Sequence, residues 1–388
     1  MAESARASSN PPQYHDRATT ARIMWTVTCA LLPAAAWGVY VFGWGAFAVL
    51  AISIAAAAVS EAVAAALAGR MTLRDGSAVL TGLLIGMAMP PGVPLFVPAV
   101  AAAFAMLVVK WSFGGLGTNW MNPALAARVF VFFSWTGHMT RWILPRTLVP
   151  AAGGVDAATA ATPLGVVQEG ARATAGATGG PLALLRDAGY PVSGFDATAT
   201  EWLNVHVLGP LGINLPSGYV DLFVGNVSGS IGEVSALLLL AGTIVLFASR
   251  IIAWEIPTAY FVTFAVFTRV FGGLAHGQAL FSGDVLFSIV TGGFVLTVFY
   301  LATDPVTSPM TRIGMLIYGA GAGCLTFLLR SYGRFPEAAA LAVILMNVLV
   351  PIIDRHTQPR RFGTRSRGLR RTVGPLAAPP GRGGETQR

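Results

Sequence analysis

The chain has 388 residues, of which 54% are hydrophobic and only 11% charged, with a formal net charge of +8. Soluble domains carry about 25% charged residues, so the composition excludes an ordinary soluble domain and reads as a polytopic membrane protein. Much of the positive excess lies at 355–371, directly after the last apolar run. Basic residues beside a span are a topology signal, so no nucleic-acid partner is expected.

In chain order, residues 1–22 form a polar N-terminal segment bearing Ser and Pro. The first apolar run is of span length rather than a short signal-peptide core, so no cleaved leader is expected. A spanning helix needs about 20 mostly apolar residues. The runs 23–42, 46–68, 93–109, 234–249, 257–271, 285–301, 313–329 and 338–353 are clear candidates, while 78–90 and 123–135 are shorter and bounded by proline. The expected fold is an all-α polytopic membrane protein of about ten transmembrane helices, the eighth and tenth running into irregular polar ends. The first five occupy 23–135 and the last five 234–354. Between them lies a long loop, 136–233, rich in Gly, Ala, Thr and Pro; a basic tail, 355–388, closes the chain.

The halves share a weak, ordered similarity. "RDGSAVLTGLLIGMAMPPGVP" from Arg74 and "SGDVLFSIVTGGFVLTVFYLATDPVTSP" from Ser282 each place an acid before a Gly-containing apolar helix with a proline-broken end. "WMNPAL" around Asn122 and "LMNVLVP" around Asn347 follow in the same order. Two copies of five spans face opposite ways, which predicts inverted repeats whose broken helices meet near the midplane.

With the N-terminus inside, Arg17, Arg22, Arg70, Arg74, Lys110, Arg250, Arg312 and the tail fall inside, against Arg269, Arg330 and Arg334 outside. This predicts cytoplasmic N- and C-termini and an outer, periplasmic loop at 136–233.

Among the polar groups, Glu61 sits amid alanines within the second run. An ionisable group at membrane depth is a functional candidate by default, here for ion or proton movement. Asp75 and Asp284 read as helix caps. Asn119, Asn122, Thr303 and Asp304 come together in one polar pocket if the repeats meet. Gly114, Gly115 and Gly117 of "FGGLGTN" read as a helix break rather than a phosphate loop, since no Walker Lys-Ser/Thr follows. Cys29 and Cys324 are too few for a four-thiolate cluster. His15, His138, His206, His276 and His356 show no metal spacing.

Four blocks, "DGSAVLTGLLIGMAMPP", "FGGLGTNWMNPALAARVF", "GSIGEVSALLLLAG" and "ATDPVTSPMTRIGMLIYG", together resemble the RnfD component of the Rnf complex, an ion-pumping ferredoxin:NAD oxidoreductase. The NqrB component of the sodium-pumping NADH:quinone reductase is similar. The resemblance runs from about Arg22 to Asp354 and leaves the basic tail outside. It implies an electron-transfer subunit in a bacterial inner membrane that couples flavin redox to Na+ or H+ translocation. It also implies the other Rnf components (A, B, C, E and G) as partners, and a separate flavin transferase for maturation.

These proteins carry FMN joined through its phosphate to a threonine. The pattern is Asp, two positions, Ser or Thr, Gly or Ala, Ala, then the acceptor. Asp156, Thr159, Ala160, Ala161 and Thr162 fit it, making Thr162 the expected acceptor. Thr178 is a decoy, because Arg172 stands where the acid belongs and Ala175 where Ser or Thr belongs. Read without the resemblance, this Ala/Thr run is a flexible loop. Small neighbours do leave the hydroxyl accessible, and Pro163 pushes Thr162 toward extended backbone. The relative's riboflavin and quinone sites make a pocket of Asn119, Asn122, Thr303, Asp304 and Glu61 a candidate for a second, non-covalent flavin or an ion. Two other readings stay open: the NqrB component of the quinone reductase, and a small-solute transporter of similar inverted-repeat fold.

Overall fold

The computed structural model describes residues 19–69, 72–148, 161–173, 180–274, 279–333 and 338–358. Among these residues the protein is all helical. The first half runs α1 (Thr20–Phe42), α2 (Trp44–Leu67), α3 (Ser77–Met87), α4 (Phe96–Ala103) and α5 (Pro123–Ser134). A central segment follows with α6 (Thr136–Met139), α7 (Pro163–Ala173), α8 (Pro181–Asp187), α9 (Gly194–Leu203) and α10 (Tyr219–Val224). The second half holds α11 (Ala236–Ala248), α12 (Glu255–Phe271), α13 (Val285–Val290), α14 (Phe294–Leu296), α15 (Arg312–Ser331) and α16 (Ala338–Thr357).

Five stretches are long and apolar enough to cross a membrane: α1, α2, α4 with its continuation to Phe113, α15 and α16. Each of the other predicted spans holds a helix, but a shorter or interrupted one. The eighth breaks at Thr291–Gly293, between α13 and a π-helical stretch, Thr297–Leu301. The tenth departs from expectation: α16 continues unbroken through Pro351 to Thr357, with no irregular polar end.

Local sequence explains most helix ends. Asp75 Oδ1 accepts from Ser77 N at 2.8 Å, and Asp284 Oδ1 from Phe287 N at 2.9 Å. Asn122 Oδ1 accepts from Ala124 N at 3.0 Å, with proline at the first helical position of α5, where its missing N–H costs nothing. Gly114, Gly115 and Gly117 all have positive φ after α4, so this run is a helix break.

Small residues set the packing. On α15, a Cβ at Gly319 would lie 2.6 Å from Ile256 O, and one at Gly323 2.6 Å from Tyr260 O. Gly319 and Gly323 therefore let α15 approach the α12 backbone closely, the small-xxx-small device of membrane helices. On the other side, Ser53 Oγ of α2 donates to Gly82 O of α3 at 2.7 Å.

The irregular segments meet one another. Ile231 N and Gly232 N donate to Met89 O and Met87 O at 3.1 and 2.8 Å. Buried backbone that leaves a helix needs such partners. These segments build the site.

Candidate functional site

A cleft of ≈ 490 Å³ opens where the central segment meets the broken elements. Its walls are the 227–234 segment, the 290–293 break between α13 and α14, Trp142, and the start of α7 with Thr162.

Thr162 stands just before Pro163, the first residue of α7. Its Oγ1 accepts from Gly165 N at 3.1 Å. The hydroxyl thus caps the helix as an acceptor, and its own hydrogen remains replaceable. A negative group on this oxygen would sit at the positive end of the helix dipole. Leu164 and Val167 are buried, and Gln168 Nε2 donates to Arg330 O at 3.0 Å. The Gln168 bond ties α7 to α15.

Fixed charge lies behind the cleft walls. Glu233 lines the cleft and pairs with Arg128 of α5, which is 3% exposed and also reaches Ser230 Oγ at 3.2 Å. Arg330, 6% exposed, donates to Ser288 O, Thr291 O and Gly292 O at 2.5, 3.3 and 3.1 Å. It thereby satisfies carbonyls at the end of α13, where a cation is favoured. Its guanidinium also lies 5.3 Å from the Phe264 ring centre. No carboxylate among the described residues pairs with it within 4.0 Å. Gly292 and Gly293 have φ of +63° and +64°; a Cβ there would meet Arg330 and Glu233 respectively. Glycine keeps this wall thin and the turn unstrained.

A second cavity, ≈ 770 Å³, lies among the helices. Asn119, Asn122, Thr303 and Asp304 all line it, with Lys110, Ser77 and Tyr300. The sequence separates these four by as much as 185 positions; the fold gathers them. Their roles differ. Asn122 is committed to capping α5 and donates to Leu301 O at 3.2 Å. Asp304 accepts from Val306 N at 3.2 Å and from Thr307 Oγ1 at 3.3 Å. Thr303 Oγ1 donates to Phe299 O at 2.7 Å. Asn119 Oδ1 is buried without a partner.

Glu61 stands apart from this cavity's lining. It is fully buried and accepts from Lys110 Nζ at 3.0 Å, Trp111 Nε1 at 2.8 Å and Thr72 Oγ1 at 2.5 Å. Lys110 also reaches Ser77 Oγ at 2.8 Å. Lys110 is 1% exposed and Arg330 is buried, so neither is a loop charge of the kind the orientation count assumes; both belong to the helix bundle.

Of the expected attachment pattern, Ala161 and Thr162 are described, whereas Asp156, Thr159 and Ala160 lie outside the described residues, as does the decoy Thr178. The residues that sequence reasoning missed are Arg128, Lys110, Arg330, Ser228, Tyr190 and Trp142. One of these carried a signal: Arg128 is a cation inside the apolar run 123–135, as telling as an acid, whereas Lys110 and Arg330 stand just past the runs 93–109 and 313–329. Asn122 and Asn347 prove unlike. Asn122 caps a helix, while Asn347 sits inside α16 and accepts from Tyr318 Oη at 2.6 Å.

Fold and site together define a multi-pass helical membrane protein with a polar cleft at its irregular face and a cavity among its helices. The chain belongs to the NQR2, RnfD, RnfE family, which matches residues 7–363. It is similar to the D component of the proton-translocating ferredoxin:NAD(+) oxidoreductase complex of Clostridium ljungdahlii, 37% identical over 92% of this chain and 96% of the relative. It is similar to the D component of the ion-translocating oxidoreductase complex of Stutzerimonas stutzeri, 40% identical over 91% and 94%. The D component of the Na(+)-translocating ferredoxin:NAD(+) oxidoreductase complex of Acetobacterium woodii is 38% identical over 92% and 94%.

Proposed function

We propose that the chain is the membrane electron-transfer subunit of an ion-translocating ferredoxin:NAD oxidoreductase complex, with FMN held by a phosphoester on Thr162. The observation that carries this reading is the Thr162 hydroxyl on the wall of a cleft backed by two buried arginines, Arg128 and Arg330. The relatives are named for proton and for sodium translocation, so similarity leaves the coupling cation, Na+ or H+, undecided.

The donor set suits a flavin mononucleotide. Thr162 Oγ1 accepts from Gly165 N and can exchange its hydrogen for a phosphoryl group. Ser230 and Thr291 offer hydroxyls, and Trp142 and Val290 offer apolar surface. When bound, FMN supplies one- and two-electron transfer at a ring whose potential the surrounding protein tunes. Arg128 and Arg330 would favour added negative charge in the cleft, and Glu233 would moderate that bias. The short range of such fields in water and their strength in a dry site make burial of both arginines the deciding factor.

In the full reading, ten spans form two inverted repeats, and α3–α4 and α13–α14 are the counterpart broken elements. The Thr162 face is periplasmic in a bacterial inner membrane, both termini are cytoplasmic, and the A, B, C, E and G components surround the chain. A separate flavin transferase performs the attachment. The larger cavity, with its unpartnered Asn119 Oδ1, suits a second, non-covalent flavin.

The test is coexpression of the full chain with a flavin transferase, followed by denaturing-gel fluorescence and tandem mass spectrometry. One FMN per chain on Thr162, and none in Thr162→Ala, is expected. A wild-type chain without covalent flavin, or with the adduct on Thr178, overturns the assignment.

A further inference from the structure

The peptide preceding the Thr162 side chain is held by residues that no attachment pattern contains. Ala161 O accepts from Ser228 Oγ at 2.7 Å. That hydroxyl's one hydrogen is thereby committed, so Tyr190 Oη donates the 3.0 Å bond between Tyr190 and Ser228 Oγ. Ser228 N–H returns to Tyr190 Oη at 2.9 Å. Burial pushes the Tyr190 phenol above its ordinary pKa, which keeps the donated proton in place. On the far side of the same residue pair, Gly165 N holds Thr162 Oγ1.

This relay joins positions 161, 190 and 228, which only the tertiary fold brings together. Ser228 is 2% exposed, but Ala161 lies exposed, where water could satisfy its carbonyl. The bond is therefore not needed to rescue a buried acceptor. Its consequence is orientation: it fixes the peptide that leads into Thr162 while Ser228 itself lines the cleft. Trp142, 8% exposed, lines the same cleft.

We propose that Tyr190 and Ser228 are positioning residues: they set the Ala161–Thr162 peptide so that a group on Thr162 Oγ1 points into the cleft beside Trp142. The proposal rests on the covalent-flavin reading and adds to it the determinants of where the flavin lies.

The experiment uses the full chain coexpressed with a flavin transferase, in detergent. Covalent flavin is first quantified after denaturation, then fluorescence lifetimes are recorded on the native protein. The Thr162→Ala chain supplies the background from any non-covalent flavin. An indole beside the ring quenches it, so the wild type shows mostly the short component, and Trp142→Phe lengthens it. Losing one part-buried hydrogen bond shifts an equilibrium by about fivefold. Ser228→Ala accordingly raises the unquenched amplitude about fivefold at full flavin content, and Tyr190→Phe raises it less. Leu222→Ala, a buried packing control on α10 outside the cleft lining, leaves it unchanged. Unquenched emission in the wild type, an unaltered decay in Ser228→Ala, or an equal rise in Leu222→Ala overturns the proposal. A wild-type chain without covalent flavin instead overturns the reading beneath it.

Discussion

Two buried ion pairs in this protein have the same ingredients and different settings. Glu61 and Lys110 lie inside the bundle, where Trp111, Thr72 and Ser77 complete their hydrogen bonds. Glu233 and Arg128 lie behind a cleft that Glu233 itself lines. The first pair is sealed: the carboxylate is fully buried and three donors already reach it. A group so neutralised is poorly placed to take up a passing cation. The second pair has one face open, so it can respond to what occupies the cleft. An ionisable residue in a span is thus a functional candidate only until its partners are known.

The contrast predicts unequal costs. Lys110→Met strands a buried carboxylate and should lose about 3–5 kcal/mol, read as a large fall in the melting temperature of the detergent-solubilised protein. The double variant Glu61→Met/Lys110→Met should recover most of that loss, because apolar replacement of a whole buried pair is near neutral. Failure of the double variant to recover would make Glu61 more than a structural partner. Arg128→Met should cost less, about 1–3 kcal/mol, since water in the cleft can solvate Glu233. An equal cost for Arg128→Met and Lys110→Met would erase the distinction between sealed and open pairs.

Gly293→Ala sharpens the same comparison. Its φ of +64° and a Cβ 2.4 Å from the Glu233 carboxyl carbon predict about 1–2 kcal/mol of backbone strain and displacement of Glu233. The cleft should change while the Glu61 pair stays intact: the Arg128→Met penalty should shrink in the Gly293→Ala background and the Lys110→Met penalty should not, read by the same melting measurement. The smallest effect is expected for Ser53→Ala. It removes one buried hydrogen bond between α2 and α3 and should cost about 0.5–1.5 kcal/mol by the same melting measurement.

Much of the fold was legible because helix-forming apolar runs and their caps are local. Asp75, Asn122 and Asp284 each cap the helix they precede, and the glycine run after α4 breaks it as its composition predicts. The continuous α16 was harder to foresee, because Pro351 looks like a stop but sits inside the helix. Neighbouring helices can compensate the bond that a membrane proline removes. The Asn119, Asn122, Thr303 and Asp304 group was legible through the repeat argument, and all four line one cavity. Glu61 was legible as buried but not as paired, because Lys110 lies 49 positions away and reads in sequence as a loop charge.

The sequence by itself determined the helical class, the helix ends and the family, since each rests on short-range pattern: apolar run length, capping residues and ordered motif blocks. Only the tertiary structure decided which charges are matched and which groups surround Thr162. Arg128 with Glu233, Arg330 with the α13 carbonyls, and Tyr190 with Ser228 and Ala161 are separated by tens to more than a hundred positions. In a low-dielectric interior nearly every polar group finds a partner somewhere. That requirement says partners exist, but chain folding selects which ones.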